Sequence, residues 1–181
     1  TIAGLRPGVR LVLIAGPTSS GKTTFSKRLA VQLLAHGVHP FTLAMDDYFV
    51  DRDQTPRDKS GEYDFESLDA LDRKLLNHQL LQLFRGEEVA LPRYNFRTGQ
   101  REDGPKVQLK DDQVIIAEGI HGLNPELLPD LPQGSVYRVY ASALTQLNLD
   151  RHNRISTTDT RLLRRIVRDA RTRGYDAANT I

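Results

Sequence analysis

The chain of 181 residues is long enough for one domain with a sizeable core, and its 39% hydrophobic and 27% charged residues are ordinary for a globular protein. It has no cysteine, which excludes a disulfide framework and a thiolate metal site, and no apolar run approaches the roughly 20 residues that cross a bilayer. Because 25 Lys and Arg nearly balance 23 Asp and Glu, composition gives no reason to expect a nucleic-acid or membrane partner, and we expect a cytoplasmic protein.

The first motif along the chain is a glycine-containing loop between a predicted strand and a predicted helix. Val9 to Ala15 is an almost continuous apolar run, typical of a parallel strand buried on both faces. Residues 22–35 place apolar side chains on one side of a helix, namely Phe25, Leu29, Leu33 and Leu34. Between them the chain fits the pattern Gly, any four residues, Gly-Lys-Ser/Thr, with the residues Gly16, Pro17, Thr18, Ser19, Ser20, Gly21, Lys22 and Thr23. This order predicts a phosphate-binding loop (P-loop), and the plain alternative is a glycine-rich turn.

Each position of the predicted P-loop has a chemical use. Glycines let backbone N–H groups turn toward an anion, and the positive end of the following helix adds to that field. Lys22 is expected to reach the β- and γ-phosphates, and the Thr23 hydroxyl is expected to bind Mg²⁺. We therefore expect ATP and Mg²⁺ to bind here, with Thr24 among the nucleotide-binding residues.

Acidic residues follow two further predicted strands. The strand at about 39–44 is followed by Asp46 and Asp47, and the strand at 113–117 is followed by Glu118. Polar side chains at the carboxyl ends of parallel strands face the crevice that binds ligands. A carboxylate there can hold Mg²⁺ or its water shell, so Glu118 and Asp46 are candidate metal residues. The alternative for Asp46 and Asp47 is that both cap a turn after the strand.

The middle of the chain predicts a loop, a helix and a hairpin. Residues 50–63 carry Pro56 and Gly61 and are long enough to cover a substrate. A helix is expected at about 67–84, a hairpin at 91–109 with its turn at 97–100, and a fourth core strand at 136–141. Strands alternate with helices along the chain, which predicts an α/β fold with a parallel sheet and helices on both faces.

The C-terminal region is rich in arginine. A last helix is expected at roughly 159–173, with Leu162, Leu163, Ile166 and Val167 buried and a basic opposite face. Along one flank four arginines recur at helical spacing: Arg161, Arg164, Arg165 and Arg168. They form a local anion-attracting field, and the plain alternative is a solvated face paired with Asp159 and Asp169.

Together these segments resemble the uridine kinase and phosphoribulokinase family of P-loop kinases. The residues that carry the resemblance run in the same order over nearly the whole chain: 16–23, 45–49, 63–66 with Asp69, 92–96, 118–119 and 159–174. Residues 118–125 and 168–181 look most similar to a bacterial nucleoside kinase branch whose kinase domain belongs to a longer polypeptide. The resemblance implies one P-loop kinase domain over residues 1–181, with a helical lid at about 150–175. It also implies further domains in the full chain and leaves a homo-oligomer open.

The resemblance also implies roles for individual residues. Asp46 would be the general base for the acceptor hydroxyl. Lid helices in such kinases close over ATP, so Arg161 and Arg165 are the expected catalytic arginines, with Arg164 and Arg168 binding the nucleotide. Five residues would line the acceptor site, namely Phe49 and Tyr94 at the base, Glu66 at the ribose hydroxyls, Arg101, and His121. The alternatives are core packing for Phe49 and Tyr94, a helix-terminal carboxylate for Glu66 and a structural histidine for His121.

The leading functional hypothesis is ATP- and Mg²⁺-dependent phosphorylation of the 5′-hydroxyl of a pyrimidine ribonucleoside. The family resemblance implies least about recognition of the base. The histidine that uridine kinases place before the position of Arg101 is absent, and Thr98-Gly99 stand in that region. Alternatives are another small acceptor, such as a sugar phosphate, pantothenate or a purine nucleoside, and an ATP-binding regulatory module without catalysis. For an acceptor that carries phosphate, Arg93, Arg97 and Arg101 would supply charge. Nucleic-acid binding through the basic helix would require a steep salt dependence, and we do not expect it.

Overall fold

The structure is a computed structural model that describes residues 4, 8–142, 156–172, 176–178 and 180. Its helices and strands are, in chain order, β1 (Leu11–Ala15), α1 (Lys22–Ala35), β2 (His39–Ala44), α2 (Arg73–Phe84), β3 (Glu88–Asn95), β4 (Gln100–Gln108), β5 (Gln113–Gly119), β6 (Val136–Tyr140) and α3 (Thr157–Thr172). Short 3₁₀ turns connect several of them.

Four parallel strands form the central sheet in the order β2-β5-β1-β6. All five residues of β1 are buried, which explains the uninterrupted apolar run in the sequence. The strand ends are level, because Ala15 pairs with Gly119 and Ala44 pairs with Glu118. The segments that follow β1, β2 and β5 therefore emerge side by side at one edge of the sheet.

The sheet is covered on both faces. Leu11 and Leu13 pack into a large cluster with the buried side of α2 and with the β3–β4 hairpin. Val12 and Ile14 face the other way and join Leu33 of α1. This arrangement confirms the predicted α/β fold with a parallel sheet and helices on both faces.

Helix α1 differs from the sequence prediction in which apolar residues it buries, and helix α2 differs in where it begins. On α1, Leu33 is buried, but Phe25 and Leu34 are 41% and 52% exposed, so the predicted apolar side of this helix is wrong at those two residues. Residues 68–70 form a 3₁₀ turn, and α2 begins at Arg73 because the Asp72 carboxylate accepts from the Leu75 N–H.

The hairpin of β3 and β4 is a separate antiparallel sheet of two strands.

Helix α3 begins at Thr157, and its predicted buried face is wrong at Leu162, Leu163 and Val167, which are exposed. Arg161 and Arg164 of this helix lie against the P-loop. The predicted lid segments 150–155 and 173–175 lie outside the described residues.

Candidate active site

The P-loop connects β1 to α1 and depends on backbone conformations that few residues adopt. Gly21 has φ +98° and Ser19 has φ +61°, both in the left-handed region. A side chain on Gly16 would collide with the Ala141 carbonyl oxygen, so the start of the loop requires glycine. The loop thus ends where the N-terminus of α1 begins, which is the geometry of an anion-binding helix terminus.

Backbone carbonyls of the P-loop hold the Lys22 side chain over the loop. Its ammonium donates to the Gly16 carbonyl at 2.9 Å and to the Pro17 carbonyl at 3.2 Å. Burial lowers the pKa of Lys22, while the nearby charges of Glu118 and Asp46 oppose that shift. The lysine therefore lies between the loop and two carboxylates that come from different strands.

Thr23 and Glu118 are joined directly. The Thr23 hydroxyl donates to the Glu118 carboxylate at 2.5 Å, linking the first turn of α1 to the end of β5. Both contribute oxygen ligands of the kind that Mg²⁺ prefers. Among the residues that the structure describes, no group of three or more His, Cys, Asp and Glu side chains forms a complete metal cage. A P-loop Mg²⁺ site needs only one or two protein oxygens besides phosphates and water, so this donor set fits the ion.

The two aspartates after β2 have different surroundings. Asp46 is exposed on the wall of the cavity that also contains Lys22 and Glu118. Asp47 points elsewhere, since its carboxylate accepts from the Tyr94 backbone N–H at 3.1 Å. Burial raises the pKa of Asp47, and the hydrogen bond from Tyr94 and the charge of Arg93 oppose this. Asp47 thus ties the strand end to the hairpin, an interaction that the sequence did not indicate.

Helix α3 lies across the P-loop with its arginines inward. Arg161 donates to the Thr18 carbonyl at 3.4 Å, and the Arg164 guanidinium lies 3.4 Å from the position that a Cβ on Gly21 would take. Arg168 makes a two-point contact with the buried Asp169 at 2.6 and 2.8 Å, and Arg165 reaches the same carboxylate at 3.8 Å. Leu163 and Val167 of the same helix line the cavity beside these arginines, so they are exposed at the site and are not packed into the core.

These elements enclose a cavity of about 630 Å³. Its lining includes the predicted residues Ser19, Gly21, Lys22, Thr23, Thr24, Asp46, Glu118, Arg164 and Arg168. Arg171 also lines it and was missed, although it continues the arginine spacing of α3 by one further position. Leu163 and Val167 line it too, although the sequence pattern places them on the face opposite the arginines. Arg161 and Arg165 are not part of this lining. Arg161 contacts the Thr18 carbonyl, and Arg165 contacts Asp169.

Aromatic rings form a cluster beyond Asp46, on the side of the hairpin. The Phe49 ring meets Phe65, Tyr94 and Phe96 edge to face, with ring centroids 5.5, 5.6 and 6.4 Å apart. Phe49 and Tyr94 are buried, whereas Phe96 is 44% exposed. The sequence singled out Phe49 and Tyr94, but Phe96 presents the accessible ring face.

The three other residues predicted for the acceptor site do not all lie together. Glu66 is exposed, and its charge acts on His121, where burial lowers the pKa of the imidazole. Arg101 binds Asp72 at 3.0 Å, and its backbone N–H donates to Asp51. Glu66 and His121 are thus brought together, while Arg101 takes part in an ion pair near the turn of the hairpin.

The sheet, the P-loop and the carboxylates at its strand ends define a P-loop kinase. The chain belongs to the phosphoribulokinase/uridine kinase family, whose model matches residues 11–181. It is 31% identical over 171 residues to a protein named uridine kinase from Staphylococcus aureus strain JH9, a match covering 94% of this chain and 73% of that protein. This confirms the family resemblance that the sequence motifs carry.

Solved structures agree. A structure described as that of a possible uridine kinase from Bacillus stearothermophilus has a TM-score of 0.58 and 28% identity, and the match covers 74% of this chain and 70% of that one. A protein from Silicibacter sp. TM1040, described as a candidate fructose transport system kinase, has a TM-score of 0.57 at 20% identity over 99% of this chain and 92% of its own. The second likeness concerns the fold alone. Within the described ranges, no helix is both long and apolar enough to cross a bilayer.

Proposed function

We propose that this protein transfers the γ-phosphoryl group of ATP to the 5′-hydroxyl of a pyrimidine ribonucleoside. The observation that carries the proposal is the position of Asp46, which lies on the wall of the P-loop cavity and three residues before the aromatic cluster. A carboxylate between a phosphate-binding loop and a ring-binding surface suits the activation of a hydroxyl on a nucleoside. The uridine kinase relatives support the same class of acceptor.

The proposed reaction needs one proton acceptor and one phosphoryl acceptor. The 5′-oxygen forms a bond to the γ-phosphorus, while the bond from that phosphorus to the β,γ-bridging oxygen breaks and leaves ADP. Asp46 accepts the proton of the attacking hydroxyl. Lys22 and the loop N–H groups hold the triphosphate and offset the charge that moves toward the leaving oxygen.

Thr23 and Glu118 are the residues that would hold Mg²⁺, because their oxygens already lie together at the start of α1. When bound, the ion neutralises charge on the β- and γ-phosphates. The short bond between the two side chains fixes the orientation of the carboxylate relative to the P-loop.

The arginines of α3 complete the phosphate side. Arg164 and Arg168 face the cavity and are placed to contact phosphate oxygens, together with Arg171. Arg161 and Arg165 would join them only by exchanging their contacts to Thr18 and Asp169 for phosphate. Covering the loop with this helix also keeps water from competing with the acceptor hydroxyl.

On the acceptor side, we assign the flat base to the exposed ring of Phe96, which packs on the buried rings of Phe49 and Tyr94. Glu66 and His121 lie near one another and are proposed to contact the ribose hydroxyls. Arg101 is not proposed to contact the acceptor directly, because its guanidinium is bound to Asp72.

The test is ADP formation from Mg·ATP with uridine, cytidine, adenosine, ribulose 5-phosphate, pantothenate or no acceptor. Turnover is expected with uridine or cytidine, and Asp46→Asn should lower kcat by about 10²- to 10⁴-fold. Asp111→Asn, a matched change in an exposed segment before β5, should leave kcat within about twofold. ADP release that ignores both the acceptor and Asp46 would contradict the proposal and favour an ATP-binding module.

A further inference from the structure

The side chain of Arg52 lies flat across the backbone of Gly99, at the turn of the β3–β4 hairpin. Gly99 has φ +72°, and a Cβ at this position would meet Arg52 Nε at 2.6 Å and Arg52 Cζ at 2.7 Å. Real Cβ atoms do not approach other atoms so closely, and Arg52 therefore occupies the space of a side chain at residue 99.

Three hydrogen bonds hold residues 51–52 against the turn of the hairpin. The backbone N–H of Arg52 donates to the Gly99 carbonyl at 2.8 Å, and its guanidinium Nη2 donates to the Phe96 carbonyl at 2.8 Å. The neighbouring Asp51 carboxylate accepts from the Arg101 N–H at 2.8 Å. We call the residues Asp51, Arg52, Phe96, Gly99 and Arg101 the hairpin clasp.

The hairpin clasp joins the two pieces of chain that carry the aromatic cluster. Phe49 lies three residues before Arg52, while Tyr94 and Phe96 belong to the hairpin. Burial raises the pKa of Tyr94, and the positive charge of Arg52 opposes this shift, so the guanidinium also lies near the phenol group. Phe96 is exposed although its carbonyl is fixed by Arg52. An accessible ring on a fixed backbone is suited to stacking against a flat ligand.

Further polar contacts tie the strands of the hairpin to the rest of the fold. Gln79 donates to the Ala90 carbonyl at 2.9 Å, Asp47 accepts from the Tyr94 N–H, and Arg101 binds Asp72. The clasp adds contacts at the turn itself, through Phe96 and Gly99. Loss of the clasp would let the tip shift relative to Asp46, and displacements of about 1 Å can cost about 10²-fold in a reaction that needs exact alignment.

We propose that Arg52 is a positioning and specificity residue for the acceptor, because its side chain over Gly99 holds the exposed ring of Phe96 against the buried rings of Phe49 and Tyr94. The inference rests on the proposed function, in that it concerns the acceptor half of the same site. It assigns the clasp to acceptors that present a flat ring and gives it no part in binding ATP.

The experiment measures the KM of the acceptor and the KM of ATP for Gly99→Ala and Gly37→Ala. Both glycines have nearly the same backbone angle, with φ +72° and +71°, but a Cβ on Gly37 would meet nothing within 4 Å. Gly99→Ala should raise the KM of uridine by about tenfold or more while the KM of ATP changes by less than about twofold. Gly37→Ala, which carries the backbone strain without the clash, should change neither KM.

A second pair of variants tests Arg52 itself and does not depend on how Gly99→Ala folds. Arg52→Ala should also raise the KM of the acceptor selectively, and adding Gly99→Ala to it should cause little further change, since the clash needs the arginine. Equal rises of both KM values, or a Gly99→Ala effect no larger than that of Gly37→Ala, would overturn the inference. The same holds if Arg52→Ala leaves the acceptor KM unchanged.

The wild-type protein separates this inference from the proposed function. If it phosphorylates an acceptor other than a pyrimidine nucleoside, the proposed function fails, and the clasp is tested with that acceptor by the same KM ratio. A flat-ring acceptor would support the clasp, whereas an acceptor without a ring would overturn it. If no acceptor is phosphorylated, both proposals fall.

Discussion

The two halves of the candidate site are built in different ways. On the phosphate side, Lys22 contacts carbonyls only six and five residues away, within one short stretch of chain. On the acceptor side, Asp47 reaches Tyr94 and Asp51 reaches Arg101 across 47 and 50 residues. The P-loop itself needs one local backbone shape, to which Glu118 and Arg161 come from 95 and 143 residues away, whereas the acceptor side needs a hairpin to be held against a distant loop. We therefore expect the phosphate side to tolerate little change and the acceptor side to adapt to different ligands.

On the phosphate side, the largest effect is expected from Lys22→Ala. Removing the ammonium that lies between the loop and two carboxylates should lower kcat by about 10²- to 10³-fold, because no other group can replace its charge at the same place. Lys27→Ala, which removes an exposed lysine from the same helix, is the control and should keep near wild-type turnover. Acceptor affinity measured by calorimetry should survive in both variants. A loss of acceptor binding in Lys22→Ala would show that the two halves are not independent.

A smaller effect on the same side is expected from the Thr23 hydroxyl. Thr23→Val keeps the shape of the side chain but removes its bond to Glu118, and the Mg²⁺ concentration for half-maximal rate should rise about tenfold. Thr23→Ser keeps the hydroxyl and should stay near wild type. Full removal of Mg²⁺ with a chelator should abolish turnover in all three proteins. An unchanged Mg²⁺ requirement in Thr23→Val would argue against Thr23 and Glu118 as the metal residues.

The smallest effect is expected on the acceptor side, from Asp47. Asp47→Ala removes the acceptor of the Tyr94 N–H and should lower the free energy of unfolding by about 1 kcal/mol, whereas Asp47→Asn keeps an oxygen there. Because burial raises the pKa of Asp47, the folded state holds this proton more tightly than the unfolded state does. The wild type should therefore lose stability as pH rises from about 4 through the raised pKa, and Asp47→Asn should not.

Urea unfolding between pH 3.5 and 7 checks this sign. Asp47→Asn should be at least as stable as the wild type at pH 7, with its advantage shrinking as the pH falls toward 4. An advantage that grows on acidification would contradict the raised pKa of Asp47.

Much of the fold could be predicted because its signals are local. The bounds of α1 and β2 in the structure are those expected from hydrophobic runs and from the P-loop pattern. The start of α2 was misplaced by several residues, since Ser67 and Asp72 are both good helix caps and only packing decides between them. The apolar face of α3 was also mispredicted, because a helix pattern shows which residues share a face but not what the face contacts.

The sequence by itself determined the P-loop, the strand before it and the helix after it, and the candidate carboxylates Asp46 and Glu118. These features follow from short motifs, whose backbone demands and periodicity are written in neighbouring residues. Only the tertiary structure decided that Asp47 binds the hairpin, that Arg161 contacts the Thr18 carbonyl, and that Arg52 fills the space above Gly99. Such contacts join residues far apart in the chain, so their partners are chosen by packing and not by local pattern.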